Sequence, residues 1–188
     1  MGRAAPHPLS ASPSERPMGP GDFVWLAALG CAARNPTDTD TICRVIDTIA
    51  AGQWTPPGHL VCDCLDEMRR GGHLTPAGTS ALAITATGHA VLSMLLAMPL
   101  DRPDSPPGQV GLRLKLAFLD LVDTTQRRRH LESLVCRYEA ELASRSDADT
   151  DHPSLGCFAH IWRSHNLDHL RRDLLMLRKL AGFVTDGL

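Results

Sequence analysis

PPGHLVCDCLDEMRRGGHLTPAGTSALAITATG, residues 56–88, decides the fold. Its first half reads as a short helix. Prolines stand where a first turn loses no hydrogen bond, Leu60, Cys64, Leu65 and Met68 recur at helical spacing, and Gly71–Gly72 supplies the stop. The period then changes. His73–Thr75 leads into a Pro76-Ala77-Gly78 turn, and Ala81–Thr85 reads as a second short strand carrying Leu82 and Ile84. A hairpin of about three to five residues per strand cannot stand alone and must lean on helices as a wing. Thr85 or Thr87 then offers the cap of a further helix with Val91, Leu92, Leu95 and Leu96 as its buried positions.

Two helices precede this stretch. Asp22 or Gly21 can cap the first, in which Phe23, Leu26, Leu29 and Ala33 recur until Asn35–Pro36. Thr37–Asp40 offers several capping oxygens to the second, where Ile42, Val45, Ile46 and Ile49 form an amphipathic stripe and Gly52 suits a left-handed close. Three short helices joined by tight turns are the skeleton of a helix-turn-helix. The predicted class is therefore mostly α: an N-terminal winged helix-turn-helix with a small two-stranded β wing, followed by a helical C-terminal domain.

In that C-terminal part Leu112, Leu116 and Leu119 form one stripe and Leu114, Phe118 and Leu121 a second beside it, so a helix from about Val110 to Val122 needs cover on several sides. Thr124 can cap the next helix, with Leu131, Leu134, Val135, Tyr138 and Leu142 at helical spacing. A polar break follows from Ser144 to Pro153. In the last helix Leu170, Leu174, Leu177, Ala181 and Val184 repeat like a short heptad seam, which predicts a two-fold homodimer joined there. The expected organisation is a disordered tail over 1–20, a winged-helix domain over 21–98, a proline-rich linker over 99–109 and a helical dimerisation domain over 110–188.

Composition bounds the function. Hydrophobic residues make up 43% of the 188, enough for a core, and Leu and Ala dominate while aromatics are only 4%, a balance that favours helix. No apolar run approaches the roughly 20 residues of a membrane span. The N-terminus lacks the apolar centre of a secretory signal, so a cytoplasmic protein with its six cysteines reduced is expected. Charge is uneven: from Pro20 to Met98 four arginines (Arg34, Arg44, Arg69, Arg70) face seven acidic residues.

The order of helices, wing, fourth helix and helical arm resembles the PadR family of winged-helix transcriptional regulators. Three stretches carry the likeness: CLDEMRRGGHL (64–74) at the end of the third helix, AITATGHAVLSMLL (83–96) as an "LT-x-x-G"-type entry into the helix after the wing, and LRLKLAFL (112–119) opening the C-terminal domain. The resemblance covers about residues 22–184. It implies a dimeric repressor whose third helices enter the major groove of double-stranded DNA while the wings approach the backbone. The DNA-facing residues would be Thr55, Pro57, His59, Asp63, Arg69 and Arg70, with Thr79 and Ser80 of the wing. It also implies a small aromatic or drug-like ligand, with Trp25 or Trp162 as a stacking face. The wing, however, holds no Lys or Arg. Together with the acidic N-terminal half this supports a second reading: a dimeric binding module of the same architecture that has lost DNA contact and sequesters a small molecule or a protein partner.

Other chemistry finds little purchase. His59, Cys62, Cys64 and His73 include soft ligands, but Cys62 and Cys64 point to nearly opposite sides of one helix, and zinc needs convergent donors. His165 and His169 share a face, while Cys157 and His160 fan away from it, so a solvated or interfacial pair is expected and no metal. Nucleophile-elbow, phosphate-loop, dinucleotide and H-E-x-x-H motifs are all absent, and Asp66 and Glu67 diverge on their helix. Neither an enzyme nor a cofactor is expected. Arg127–Arg129 reads as a solvated basic run that can alternatively meet phosphates.

Overall fold

A helix with apolar side chains all round needs cover all round, and that requirement organises the N-terminal half. Helix α1 (Pro20–Arg34) buries Phe23, Val24 and every residue from Leu26 to Ala32. The expected one-sided stripe is thus part of a central helix, on which α2 (Thr39–Ala50), α3 (Gly58–Arg70), strand β2 (Leu82–Ile84) and α4 (Ala86–Ala97) all pack. The computed structural model describes residues 16–147 and 156–185. The chain falls into two compact units, Met1–Asp101 and Arg102–Leu188.

The start of α1 corrects one expectation. Pro20 takes the first helical position, and the Asp22 carboxylate accepts the Gly19 N–H at 2.8 Å and both prongs of the Arg16 guanidinium at 2.6 and 2.8 Å. Met18, 3% exposed, donates its N–H to the Pro99 carbonyl at 3.0 Å. Residues 16–20, expected as the end of a disordered tail, are thus held through Arg16, Met18 and Gly19; the rest of that expected tail, residues 1–15, lies outside the described residues.

Asp38 caps α2 by accepting the Thr41 N–H at 2.8 Å, and the helix closes through left-handed Ala51 (φ 49°) and Gly52 (φ 73°). The buried stripe of α3 is Val61, Cys64, Leu65 and Met68, one residue away from the expected start at Leu60. Its end is a Schellman turn: the His73 N–H reaches the Met68 carbonyl, the Gly72 N–H reaches that of Arg69, and Gly72 takes φ 71°. Strand β1 (Leu74–Pro76) then pairs antiparallel with β2, with Leu74 opposite Ile84 and Pro76 opposite Leu82. A third piece of backbone joins them, because Thr37 exchanges two hydrogen bonds with Leu82, at 2.9 and 2.7 Å. The wing is thereby tied to the segment between α1 and α2.

The second unit holds α5 (Pro106–Phe118), a 3-10 turn (Leu119–Leu121), α6 (Thr124–Asp147) and α7 (Cys157–Thr185). The Ser105 hydroxyl accepts the Gly108 N–H at 3.1 Å, so α5 begins inside the expected linker, with two prolines in its first turn. Asp123 caps α6, and the helix runs through Ser144 to Asp147; the remainder of the expected polar break lies outside the described residues.

The seam of the last helix has a different partner from the expected one. Leu170, Leu174 and Leu177 are buried within this unit, where α7 packs along α6 and its buried Leu131, Leu134 and Tyr138. Gln109 crosslinks the three helices, its amide nitrogen lying 2.6 Å from the Pro103 carbonyl, 2.9 Å from Asp173 Oδ2 and 3.4 Å from the Tyr138 hydroxyl. Arg127 is not free for a partner: its guanidinium holds the carbonyls of Leu119, Asp120 and Val122 at 3.1–3.3 Å, and Arg128 pairs with Glu132 at 2.7 Å.

Candidate nucleic-acid interface

Helix α3 turns its apolar stripe to the core, which leaves His59, Asp63, Asp66 and Arg70 on the opposite face, all exposed. At 100° per residue these four fall within about 60° of one another. Three of the residues implied to face DNA thus share a single outward surface. Asp66 stands in the middle of it, so the acidic side chains of this helix do not all turn away. Asp66 is 3.6 Å from the guanidinium of Arg69, and both are more than half exposed.

No side chain caps the N-terminus of α3. Pro57 occupies the cap position with its carbonyl bound by the Leu60 and Val61 N–H groups, and Thr55, Pro57 and His59 are exposed around it. That end therefore presents backbone N–H groups and the positive pole of the helix dipole. Arg69 and Arg70 lie at the other end, about 15 Å along the axis from His59.

Between α3 and the wing runs a cleft of about 380 Å³. Its α3 wall is the stripe Cys62, Leu65, Asp66 and Arg69, and its far wall includes Thr79 and Ser80 at the exposed wing turn. Arg69, Thr79 and Ser80 are thus brought together, whereas Thr55, Pro57 and His59 form a separate group at the start of the helix.

The wing is held in place by a clamp at its base. The Thr85 hydroxyl accepts the Gly88 N–H at 3.1 Å, capping α4, and donates to the Gly72 carbonyl at 2.7 Å; the Thr87 hydroxyl reaches the same carbonyl at 2.8 Å. The Thr85 N–H donates to the His73 carbonyl at 3.1 Å. One cap residue thus fastens the end of α3, the start of the wing and the start of α4. The stretch read as an "LT-x-x-G"-type entry, here Ile84-Thr85-Ala86-Thr87-Gly88, has this physical content.

The two tryptophans lie in different units. Trp25 is half-buried in the first, tilted against the His73 ring with centroids 5.5 Å apart, and its indole N–H donates to the Cys64 sulfur. Trp162 lies in the second unit, 65% exposed and stacked on His165 at 5.4 Å. No group of three or more metal-ligating side chains converges among the described residues, and His169 faces Asp173 at 3.4 Å. None of the described helices is long and apolar enough to cross a membrane.

Sequence reasoning missed three features. The bridge at Thr37 is a single residue without periodicity. The crosslink from Gln109 joins residues far apart in sequence. Lys115, 4% exposed, sits inside LRLKLAFL, where a lysine within an all-round apolar helix was itself a signal of a buried charge.

Over residues 14–181 the chain matches the family described as "Putative AphA-like transcriptional regulator". Similar solved structures include Bacillus subtilis PadR, 14% identical over 90% of this chain and 99% of that one with a TM-score of 0.40. They also include its complex with p-coumaric acid (14% identity, 87% and 99% coverage, TM-score 0.40) and its complex with operator DNA (15%, 86% and 98%, 0.36). No curated protein matches. The family is one of regulators and not of enzymes, in agreement with the winged-helix architecture. The chain belongs to the AphA-like family of transcriptional regulators.

Proposed function

We propose that this chain acts in the cytoplasm as a dimeric regulator that binds double-stranded DNA through α3 and the wing and is released by a small aromatic or drug-like ligand. The observation that carries the DNA reading is the single outward face of α3 beside a wing fixed by the Thr85 clamp. Thr55, Pro57 and His59 suit a phosphate at the uncapped helix end, where N–H groups and the dipole favour an anion. Arg69 and Arg70, with Thr79 and Ser80 across the cleft, suit a second backbone contact. Asp63 and Asp66 cannot hold phosphates, but carboxylates on such a face can accept from the exocyclic amine of cytosine.

The dimer reading rests on α7. Its exposed residues Phe158, Trp162, His165, His169, Arg172, Met176, Lys179 and Phe183 alternate four and three apart over 26 residues, the period of a coiled-coil seam. This stripe lies about 130° around the helix from the face used against α6. An antiparallel pairing of two copies sets Phe158 against Phe183 and Trp162 against Lys179, which suits aromatic and cation–π contact. A parallel pairing would instead set Lys179 on Lys179 and Arg172 on Arg172. Trp162, stacked on His165 in this stripe, is the better placed of the two tryptophans to meet a ligand at the interface; Trp25 is engaged with His73 and Cys64.

The excess of acidic side chains between Pro20 and Met98 favours the second reading, a sequestering module without DNA contact. Electrophoretic retardation of the DNA upstream of its own gene, at about 50 and 200 mM salt, separates the two. Retardation that weakens steeply with salt is expected, whereas none at the lower salt leaves only the module. For the dimer, sedimentation of the wild type at twice the chain mass and of Phe158→Glu/Trp162→Glu at the chain mass, with unchanged helical circular dichroism, is expected. A variant that stays dimeric would remove α7 as the seam.

A further inference from the structure

Anchors for phosphate stand at both ends of α3 and leave its middle to the bases. The uncapped start with Thr55, Pro57 and His59 and the far end with Arg69 and Arg70 are the places suited to a backbone, and between them the outward face carries Asp63 and Asp66. Both are exposed, and no Lys or Arg occurs from Pro56 to Met68. Glu67 is half-buried and stands to one side, about 80° around the helix from His59. Asp66 is 3.6 Å from Arg69 in a pair that lies more than half exposed; solvent screens such a pair, so a phosphate can take the arginine and release the carboxylate.

We propose that Asp63 and Asp66 set the base preference of this helix, each selecting cytosine at one of two neighbouring base pairs. The proposal rests on the DNA reading above and deepens it. An ionised carboxylate only accepts hydrogen bonds. On the major-groove edge guanine offers N7 and O6 and thymine offers O4 beside a methyl group, with no donor on either, so a carboxylate rejects both. Cytosine and adenine each offer an amine. Adenine sets it beside the N7 lone pair, which opposes the second carboxylate oxygen, whereas cytosine sets it beside a C–H, so cytosine is preferred. The three-residue step from Asp63 to Asp66 advances about 4.5 Å along the helix, close to the roughly 3.4 Å between stacked base pairs. The same charges weaken binding to any duplex without the matching amines, which gives an acidic reading head a use: it discriminates by rejection.

The full chain selects duplexes from a randomised library, and the enriched sites are compared with those of Asp63→Asn and Asp66→Asn; matched duplexes differing at one base pair then compete for each protein. Expected in the wild type are C·G pairs at two neighbouring positions, each with about a tenfold preference over the other bases. Asparagine keeps the size of aspartate and adds an amide donor, so it pairs with adenine N6 and N7. Each substitution should turn one of the two positions, and only that one, from cytosine to adenine, with unchanged helical circular dichroism. Overall affinity rises in both variants as a negative charge is lost, so the readout is the base ratio, which loss of charge alone does not move. Enrichment of guanine or thymine at those positions, or identical sites for all three proteins, overturns the proposal and leaves the DNA reading in place. A wild type that enriches nothing and is not retarded at about 50 mM salt removes both.

Discussion

Gly88→Ala is expected to destabilise the winged-helix unit by about 3 kcal/mol, a large share of the roughly 5–15 kcal/mol that holds a domain together. A methyl group there would overlap the His73 carbonyl oxygen and come within 2.7 Å of Ile84 Cγ1. Neither neighbour can yield cheaply. The His73 carbonyl accepts the Thr85 N–H, and the adjacent Gly72 carbonyl is held by two threonine hydroxyls, so the collision meets backbone at the best-fastened point of the unit. Gly58→Ala is the control: it meets nothing within 4 Å at the start of α3 and should be neutral or slightly stabilising. Urea melts compare the two. If Gly88→Ala unfolds within about 0.5 kcal/mol of the wild type, the clamp is not the rigid joint described.

Raising the pH from 6 to 10 should stabilise the second unit, and Lys115→Met should abolish most of that gain. Lys115 is pushed down from 10.5 to about 7, first by burial and then by the neighbouring positive charge of Arg137. His130 is pushed down in the same way, by burial and then by Lys115, with Asp123 opposing. Between pH 7 and 10.5 the unfolded chain carries a proton on Lys115 that the folded chain has released, so stability rises with pH across that window and the full penalty applies below it. His130 adds a smaller rise of the same sign below its ordinary value of 6.5. With one pKa unit equal to about 1.4 kcal/mol, the lysine accounts for a gain on the order of 4 kcal/mol. Methionine keeps the unbranched stem without the charge, so denaturant melts of Lys115→Met at pH 6, 8 and 10 should be nearly level and should exceed the wild type most at pH 6. A wild-type slope retained in Lys115→Met would show that the gain comes from elsewhere.

Both residues bear on what a sequence discloses. The order of elements was legible because each boundary carries its own chemistry: Gly72 in a Schellman turn, Thr85 as a cap, Asp38 as a cap. What stayed hidden was which surface each stripe meets. The heptad of Leu170, Leu174 and Leu177 has the right period for a seam but spends it on α6, and the exposed stripe that we propose as the seam instead mixes Phe and Trp with His, Arg and Lys, which a hydrophobic pattern does not flag. Pro106 and Pro107 read as linker although a helix start tolerates both, and only the Ser105 cap shows which applies. Of the candidate interface, the outward position of His59, Asp63 and Arg70 follows from α3's period; the cleft that adds Arg69 to Thr79 and Ser80 exists only once the wing has folded back.

The reading head in duplicate is tested most directly by the salt dependence of DNA affinity in the wild type and in Arg69→Ala/Arg70→Ala. Each arginine–phosphate contact contributes about 0.9 to the slope of log affinity against log salt. Two arginines in each of two subunits therefore predict a slope lower by nearly 4 in the double variant. An unchanged slope, with affinity equal to that of the wild type, would contradict DNA contact through this end of α3.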